Sequence, residues 1–129
     1  CFHCHGGSLF QRQRFGNNGL STDFTDTGRG GVTGRAGERG LFAVPSLRNV
    51  ALTAPYMHDG RFRTLEEAVA HYCTGVKSSP TLDPNLAKHP DGGLRLGAED
   101  QQALVAFLRT LTDVGVRDPV AAVSATTGP

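Results

Sequence analysis

Long apolar runs, an excess of either charge and a second pair of cysteines are all missing from this 129-residue chain. Each absence removes a class of protein. No stretch of about eighteen apolar residues occurs, so nothing reads as a membrane-spanning helix. The formal net charge is +1, which gives no electrostatic case for nucleic acid or an anionic membrane surface. Hydrophobic residues make up 38% of the chain, below the share expected of a domain that closes a core from its own side chains. There is a single methionine, Met57, and hence a single thioether. Seventeen glycines and seven prolines imply few helices and long irregular connections. The length suits one domain.

The three cysteines are scarce but informative. Cys1 and Cys4 stand two residues apart with His5 directly after them, in the run Cys1-Phe2-His3-Cys4-His5. A redox dithiol normally follows a strand, and a zinc site needs a second ligand pair. The remaining thiol, Cys73 beside His71, makes a poor second half, so it is expected to be a buried free thiol. C-x-x-C-H is instead the spacing for covalent haem attachment. Two thiols at this separation add to the two vinyl groups of one porphyrin, and the adjacent imidazole reaches the iron from the proximal side. Cys1 and Cys4 are therefore the candidate thioether residues and His5 the candidate proximal ligand of a covalent haem c. A porphyrin would also supply the apolar bulk that the polypeptide lacks. This attachment takes place outside the cytoplasm, yet the sequence carries no leader. The expectation is a C-terminal piece of a longer, periplasmic or otherwise exported protein.

Gly6 to Gly40 is polar and glycine-rich, with Phe10, Phe15, Leu20 and Phe24 as spaced apolar anchors. Gly28-Arg29-Gly30-Gly31-Val32-Thr33-Gly34 lacks the Gly-Lys-Ser/Thr ending of a phosphate cradle and reads as a surface loop. A short helix is expected after Pro45, because proline suits the first helical position. Thr64-Leu65-Glu66-Glu67 is a capping box. It predicts a helix from Leu65 to about Cys73, stopped by Gly75, with Leu65, Ala68, Val69 and Tyr72 on the inward face and His71 pointing away. Val76 to Gly93 reads as a proline-broken loop. Ala98 to Leu111 is the strongest helix, with Leu104, Val105, Phe107, Leu108 and Leu111 as its apolar side and Glu99 and Asp100 at its positive end. No strand pattern stands out. The fold expected is all-α and cytochrome c-like. Residues 1–113 would form the haem domain and residues 114–129 a flexible tail.

A haem iron has a second axial position. Met57, His58 and Tyr72 compete for it. His58, beside Asp59 in a turn, has an ordinary reading as a turn residue with a local hydrogen bond. Tyr72 could be a plain core tyrosine, and Met57 a gap-filling methionine. Spacing alone leaves Met57 slightly ahead.

The run from Phe42 through Ser46-Leu47-Arg48-Asn49 and Ala54-Pro55-Tyr56-Met57-His58-Asp59-Gly60 to Glu67 resembles the C-terminal haem domain of the bacterial di-haem cytochrome c peroxidase family, most closely its MauG-like branch. The resemblance extends from Cys1 to about Thr112. It implies a two-haem protein in which this domain holds a six-coordinate electron-transferring haem and a separate domain meets peroxide. It implies an iron ligand fourteen residues beyond His58, at Tyr72, which is tyrosine in the MauG-like branch. That moves the preference to Tyr72, with Met57 as the alternative. It further implies that main-chain carbonyls of Thr53 and Pro55 bind calcium, whose ligands are oxygens, between the two domains. The partner is then a second haem domain or a redox protein. The chain departs from the family pattern in having no tryptophan for the link between haems and no helix ahead of Cys1. Alone it offers no peroxide site, so the enzyme would be the larger protein. The competing reading is a mono-haem electron-carrier subunit with His/Met ligation.

Overall fold

A computed structural model describes residues 1–89 and 91–117. The fold is centred on one helical pair. Helix α2, Leu65–Ala70, follows α1 (Arg29–Thr33) and precedes α3 (Pro84–Ala87), α4 (Ala98–Thr110) and α5 (Val114–Arg117). The Thr64 hydroxyl accepts from the Glu67 amide, and the Glu67 carboxylate accepts from the Arg63 and Thr64 amides. The capping box is thus formed as the sequence predicts. Leu65 and Val69 of α2 meet Val105 of α4 and Cys73 in the main apolar cluster. Val50, Ala51, Tyr56, Leu96, Leu104 and Leu108 pack around it. Burying these side chains against one another is the main stabilising term of this part of the chain.

The α2 helix does not run on to Cys73. From His71 to Gly75 it widens into a π-helical turn. Such turns are uncommon and are frequent at functional sites, because one extra residue per turn re-aims the side chains. The consequence is a correction to the expected facing: His71 is buried, at 7% exposure, and Tyr72 is half-buried. The carbonyls that the turn leaves without helical partners are met from outside. Leu94 N–H donates to Tyr72 O at 2.9 Å and Arg95 N–H to Cys73 O at 3.0 Å. Gly93, at φ 153°, lets that segment approach; a Cβ there would lie 2.5 Å from Cys73 O and 2.6 Å from Tyr72 O. Cys73 is buried and unpaired, as expected.

The α4 helix ends at Thr110, and its apolar side is only partly covered: Val105 is buried while Phe107 remains 47% exposed, edge-on to Phe10 at 6.1 Å. Asn49, in the left-handed region at φ 60°, clips the end of α4. Its N–H donates to Leu111 O and its side-chain oxygen accepts from Asp113 N–H.

The structure modifies several local expectations. The fold is mostly helical but not all-α, because Phe15–Gly16 (β1) pairs antiparallel with Phe42–Ala43 (β2). No helix starts after Pro45; Val50–Leu52 is a 3-10 turn instead. The glycine-rich run forms α1 rather than an open loop, with Glu38 gathering Arg29 and the Thr33 hydroxyl. The proline-broken segment also contains α3, capped by Asp83 with Pro84 at its first position. Val114–Arg117 of the expected tail is helical, and its remainder, 118–129, lies outside the described residues. No described helix is long and apolar enough to cross a membrane.

Candidate haem site

Cys1, Cys4 and His5 sit on one tight turn. The Cys1 carbonyl accepts from the amides of Cys4 (3.0 Å) and His5 (2.8 Å). Curling the backbone this way lets two thiols and one imidazole project from a single turn. Both thiols are free, Cys1 exposed and Cys4 half-buried. Burial pushes the Cys4 thiol up, helped by the charge of Asp83, while Arg14 opposes it.

The ring of His5 is oriented by a second segment. Its Nδ1 lies 3.1 Å from the Pro45 carbonyl. A carbonyl only accepts, so Nδ1 carries the proton and Nε2 keeps its lone pair. A backbone carbonyl on the far nitrogen is how metal-binding histidines are commonly fixed. Burial holds the His5 pKa below its ordinary value, against backbone hydrogen bonds to Phe10 and Pro45 that raise it, and so favours the neutral, ligating form. The donor set of this turn fits a covalently attached haem c.

The strap that carries Pro45 is stitched to the residues after the motif. Val44 N–H donates to Arg14 O, Leu47 N–H to Phe10 O, the Ser46 hydroxyl to Leu9 O at 2.6 Å, and the Arg48 guanidinium to Ser8 O at 2.7 Å. Beside it, Arg14 pairs with the buried Asp83, whose carboxylate also accepts from the Asn85 amide.

Tyr72 and Met57 come together at a residue that sequence reading passes over, Asn18. The Asn18 side-chain amide donates to Met57 Sδ at 3.3 Å. The Tyr72 phenol is pushed up by burial, pulled down by a hydrogen bond from the same Asn18 side chain, and pushed up by the nearby charge of Cys4. Tyr72 therefore lies in the electrostatic neighbourhood of the C-x-x-C-H turn. The Asn18 carbonyl in turn accepts from His71 Nε2 at 2.9 Å, which accounts for the buried histidine. Nothing in the Asn17-Asn18 dipeptide signals this; its contacts span more than thirty residues of sequence.

Met57 stands at φ 74°, a conformation that costs a non-glycine residue energy and persists only where its surroundings impose it. They do so here. Tyr56 and Phe62 pair across the turn, Gly60 N–H donates to Met57 O, and Arg61 holds both Asp59 and the Leu20 carbonyl. His58 does not bond Asp59, contrary to the ordinary reading of the turn. It stacks on Phe42, with ring centroids 3.6 Å apart and planes 10° from parallel. Thr53 and Pro55, the candidate calcium residues, are exposed on either side of Ala54. Among the described residues there is no group of three or more His, Cys, Asp or Glu side chains that could hold a metal ion.

No protein-family model matches the chain. Known proteins do. It is 38% identical over 115 residues to the methylamine utilization protein MauG of Paracoccus denitrificans, covering 74% of this chain and 30% of that protein. It is 36% identical over 121 residues to the cytochrome c peroxidase Ccp of Escherichia coli, covering 88% of this chain and 23% of that protein. Among solved structures, a MauG-like protein associated with microbial copper homeostasis superposes with a TM-score of 0.71 at 36% identity, over 89% of this chain and 43% of the other. The chain thus spans under a third of the length of these two curated relatives. At these identities and over this share of its length, the chain belongs to the di-haem cytochrome c peroxidase family that includes MauG.

Proposed function

We propose that this chain is the haem-c electron-transfer domain of an exported di-haem peroxidase- or MauG-like oxidoreductase, in which Cys1 and Cys4 carry the thioether bonds and His5 and Tyr72 the axial positions. A bound haem c supplies one-electron transfer. The observation that carries the reading is the hydrogen bond from His5 Nδ1 to Pro45 O, which leaves Nε2 as a fixed, neutral donor on the turn that bears both thiols. Tyr72 contributes a hard anionic oxygen, which favours the oxidised iron states. The widened His71–Gly75 turn and its clamp by Leu94 and Arg95 hold that side chain's backbone in place. Electrons would leave toward a separate peroxide-reactive haem in the larger protein. Thr53 and Pro55 carbonyls are proposed as the share of this chain in a calcium site completed by that other domain.

Replacing Tyr72 with Phe tests the axial assignment. The haem-loaded variant should change its absorption spectrum and rise in reduction potential, because an anionic ligand to the ferric state is lost. An unchanged spectrum would remove Tyr72 from the iron. A second reading, a mono-haem electron carrier with Met57 as ligand, rests on proximity alone: Met57 lies against Asn18, the residue that also neighbours Tyr72. A sulfur-to-iron absorption band in the unmodified protein would select it.

A further inference from the structure

We propose that Asn18 is the positioning residue that decides which side chain takes the second axial place on the haem iron, by engaging the Met57 thioether and supporting Tyr72. The inference rests on the haem reading above and goes beyond it, because neither the C-x-x-C-H motif nor the spacing from His58 involves Asn18.

Three observations carry it. The Asn18 amide nitrogen has two N–H groups; it donates to Met57 Sδ at 3.3 Å, and the same side chain pulls down the Tyr72 phenol that burial pushes up. The two contacts differ in consequence. A thioether is a weak acceptor, and an N–H donated to it competes for the same lone pairs that would bind a metal. A phenolate oxygen has a lone pair to spare after binding a metal, and an N–H donor stabilises its charge. One amide thus works against the first ligand and for the second.

Asn18 is also rigidly placed. Its carbonyl accepts from His71 Nε2 at 2.9 Å, which ties it to the residue preceding Tyr72. Its neighbour Asn17 is 2% exposed; the Asn17 side chain donates to the Ser79 and Thr81 hydroxyls and accepts from Gly19 N–H at 2.8 Å. Met57 has little freedom to leave the contact, because its own backbone is pinned at positive φ by the Tyr56–Phe62 turn.

The test uses the haem-loaded protein, read by absorption spectrum and reduction potential. Asn18→Leu removes both N–H donors at similar volume. It should raise the potential and bring in a sulfur-to-iron band, and the band should vanish in the double variant Asn18→Leu, Met57→Leu, which keeps only the smaller rise due to the donor lost from Tyr72. Asn18→Gln, which keeps the amide, should stay closer to the unmodified spectrum than Asn18→Leu does. Should Asn18→Leu fail to fold around haem, Asn18→Ala gives the same readout with less bulk. If Tyr72→Phe alters the spectrum while neither donor-free variant at position 18 does, Asn18 has no selecting role and the proposal fails while the Tyr72 assignment stands. A rise in potential in the double variant as large as in Asn18→Leu alone also overturns it. If Tyr72→Phe itself changes nothing, the underlying ligation reading fails first.

Discussion

Between Val50 and Leu111 the chain closes on its own side chains; between Cys1 and Arg48 it does not. Leu65, Val69, Cys73 and Val105 are all buried in the first of these regions, around the α2–α4 contact. In the second, Leu20 is the one large apolar side chain below a tenth exposure, and Phe2, Leu9 and Phe15 stand open at 69%, 57% and 42%. What holds residues 1–48 is a set of polar stitches: His5 to Pro45, Ser46 to Leu9, Arg48 to Ser8, Val44 to Arg14. Each such bond contributes only about 1 kcal/mol net. The region thus has the hydrogen bonds of a folded domain without the apolar interior that normally accompanies them. On the proposed reading, a porphyrin attached at Cys1 and Cys4 would be the missing interior. The difference teaches that one part of the fold is written in the polypeptide and the other part is written for polypeptide plus cofactor.

The largest expected effect comes from withholding that cofactor. The double variant Cys1→Ser, Cys4→Ser should retain no haem through denaturing electrophoresis. Its amide hydrogens in residues 1–48 should exchange far faster than those of α2 and α4, which should stay protected. Equal loss of protection in both regions would erase the distinction drawn between them.

Next in size is a cavity in the self-sufficient region. Leu65 is 6% exposed within the main cluster, so Leu65→Ala should cost about 3 kcal/mol in chemical denaturation. The comparison is sharpened by measuring it with and without haem. The loss should be nearly the same in both, since Leu65 packs against Val69, Cys73 and Val105. A loss that appears only in the haem-loaded protein would place Leu65 in the cofactor's surroundings instead.

The same contrast explains what could be read from the sequence. Elements stabilised locally were legible. Thr64 and Glu67 announce a helix start because capping depends on residues three apart, and the apolar stripe of α4 announces a buried face by its period. The C-x-x-C-H turn was legible because its chemistry fixes its spacing. Features made by distant partners were not. The β1–β2 ladder is two residues long on each side, too short to show alternation. His71 faces outward only on a regular helix; the π turn and the Asn18 carbonyl, fifty-three residues away in sequence, bring it inside. Asn18 and Gly93 owe their roles to such long-range contacts, and Asp83, besides capping α3 locally, owes its pairing with Arg14 to one. The missing apolar residues of 1–48 were visible in the composition, but only the attachment motif gave that shortage a meaning.

The smallest expected effect separates the two regions by acid. Glu67 sits in the capping box of α2, and backbone hydrogen bonds from Arg63 and Thr64 hold its carboxyl below the usual glutamate range. A carboxylate whose pKa is lower folded than unfolded contributes stability that is fully present above the unfolded value. That contribution is lost as the pH falls through the folded one. Acid should therefore loosen the start of α2 in the window just below the ordinary glutamate pKa, while leaving the Ser46–Leu9 and Arg48–Ser8 stitches alone, since no carboxylate takes part in them. Glu67→Gln keeps an oxygen that can accept from the Thr64 amide but removes the charge that titrates. Stability measured by denaturation across this window should consequently lose part of its pH slope in the variant. Thr64→Ala should lower stability at every pH by about 1 kcal/mol, the usual cost of a lost cap. If Glu67→Gln leaves the slope as steep as before, the acid sensitivity does not belong to the α2 capping box, and acid does not separate the two regions.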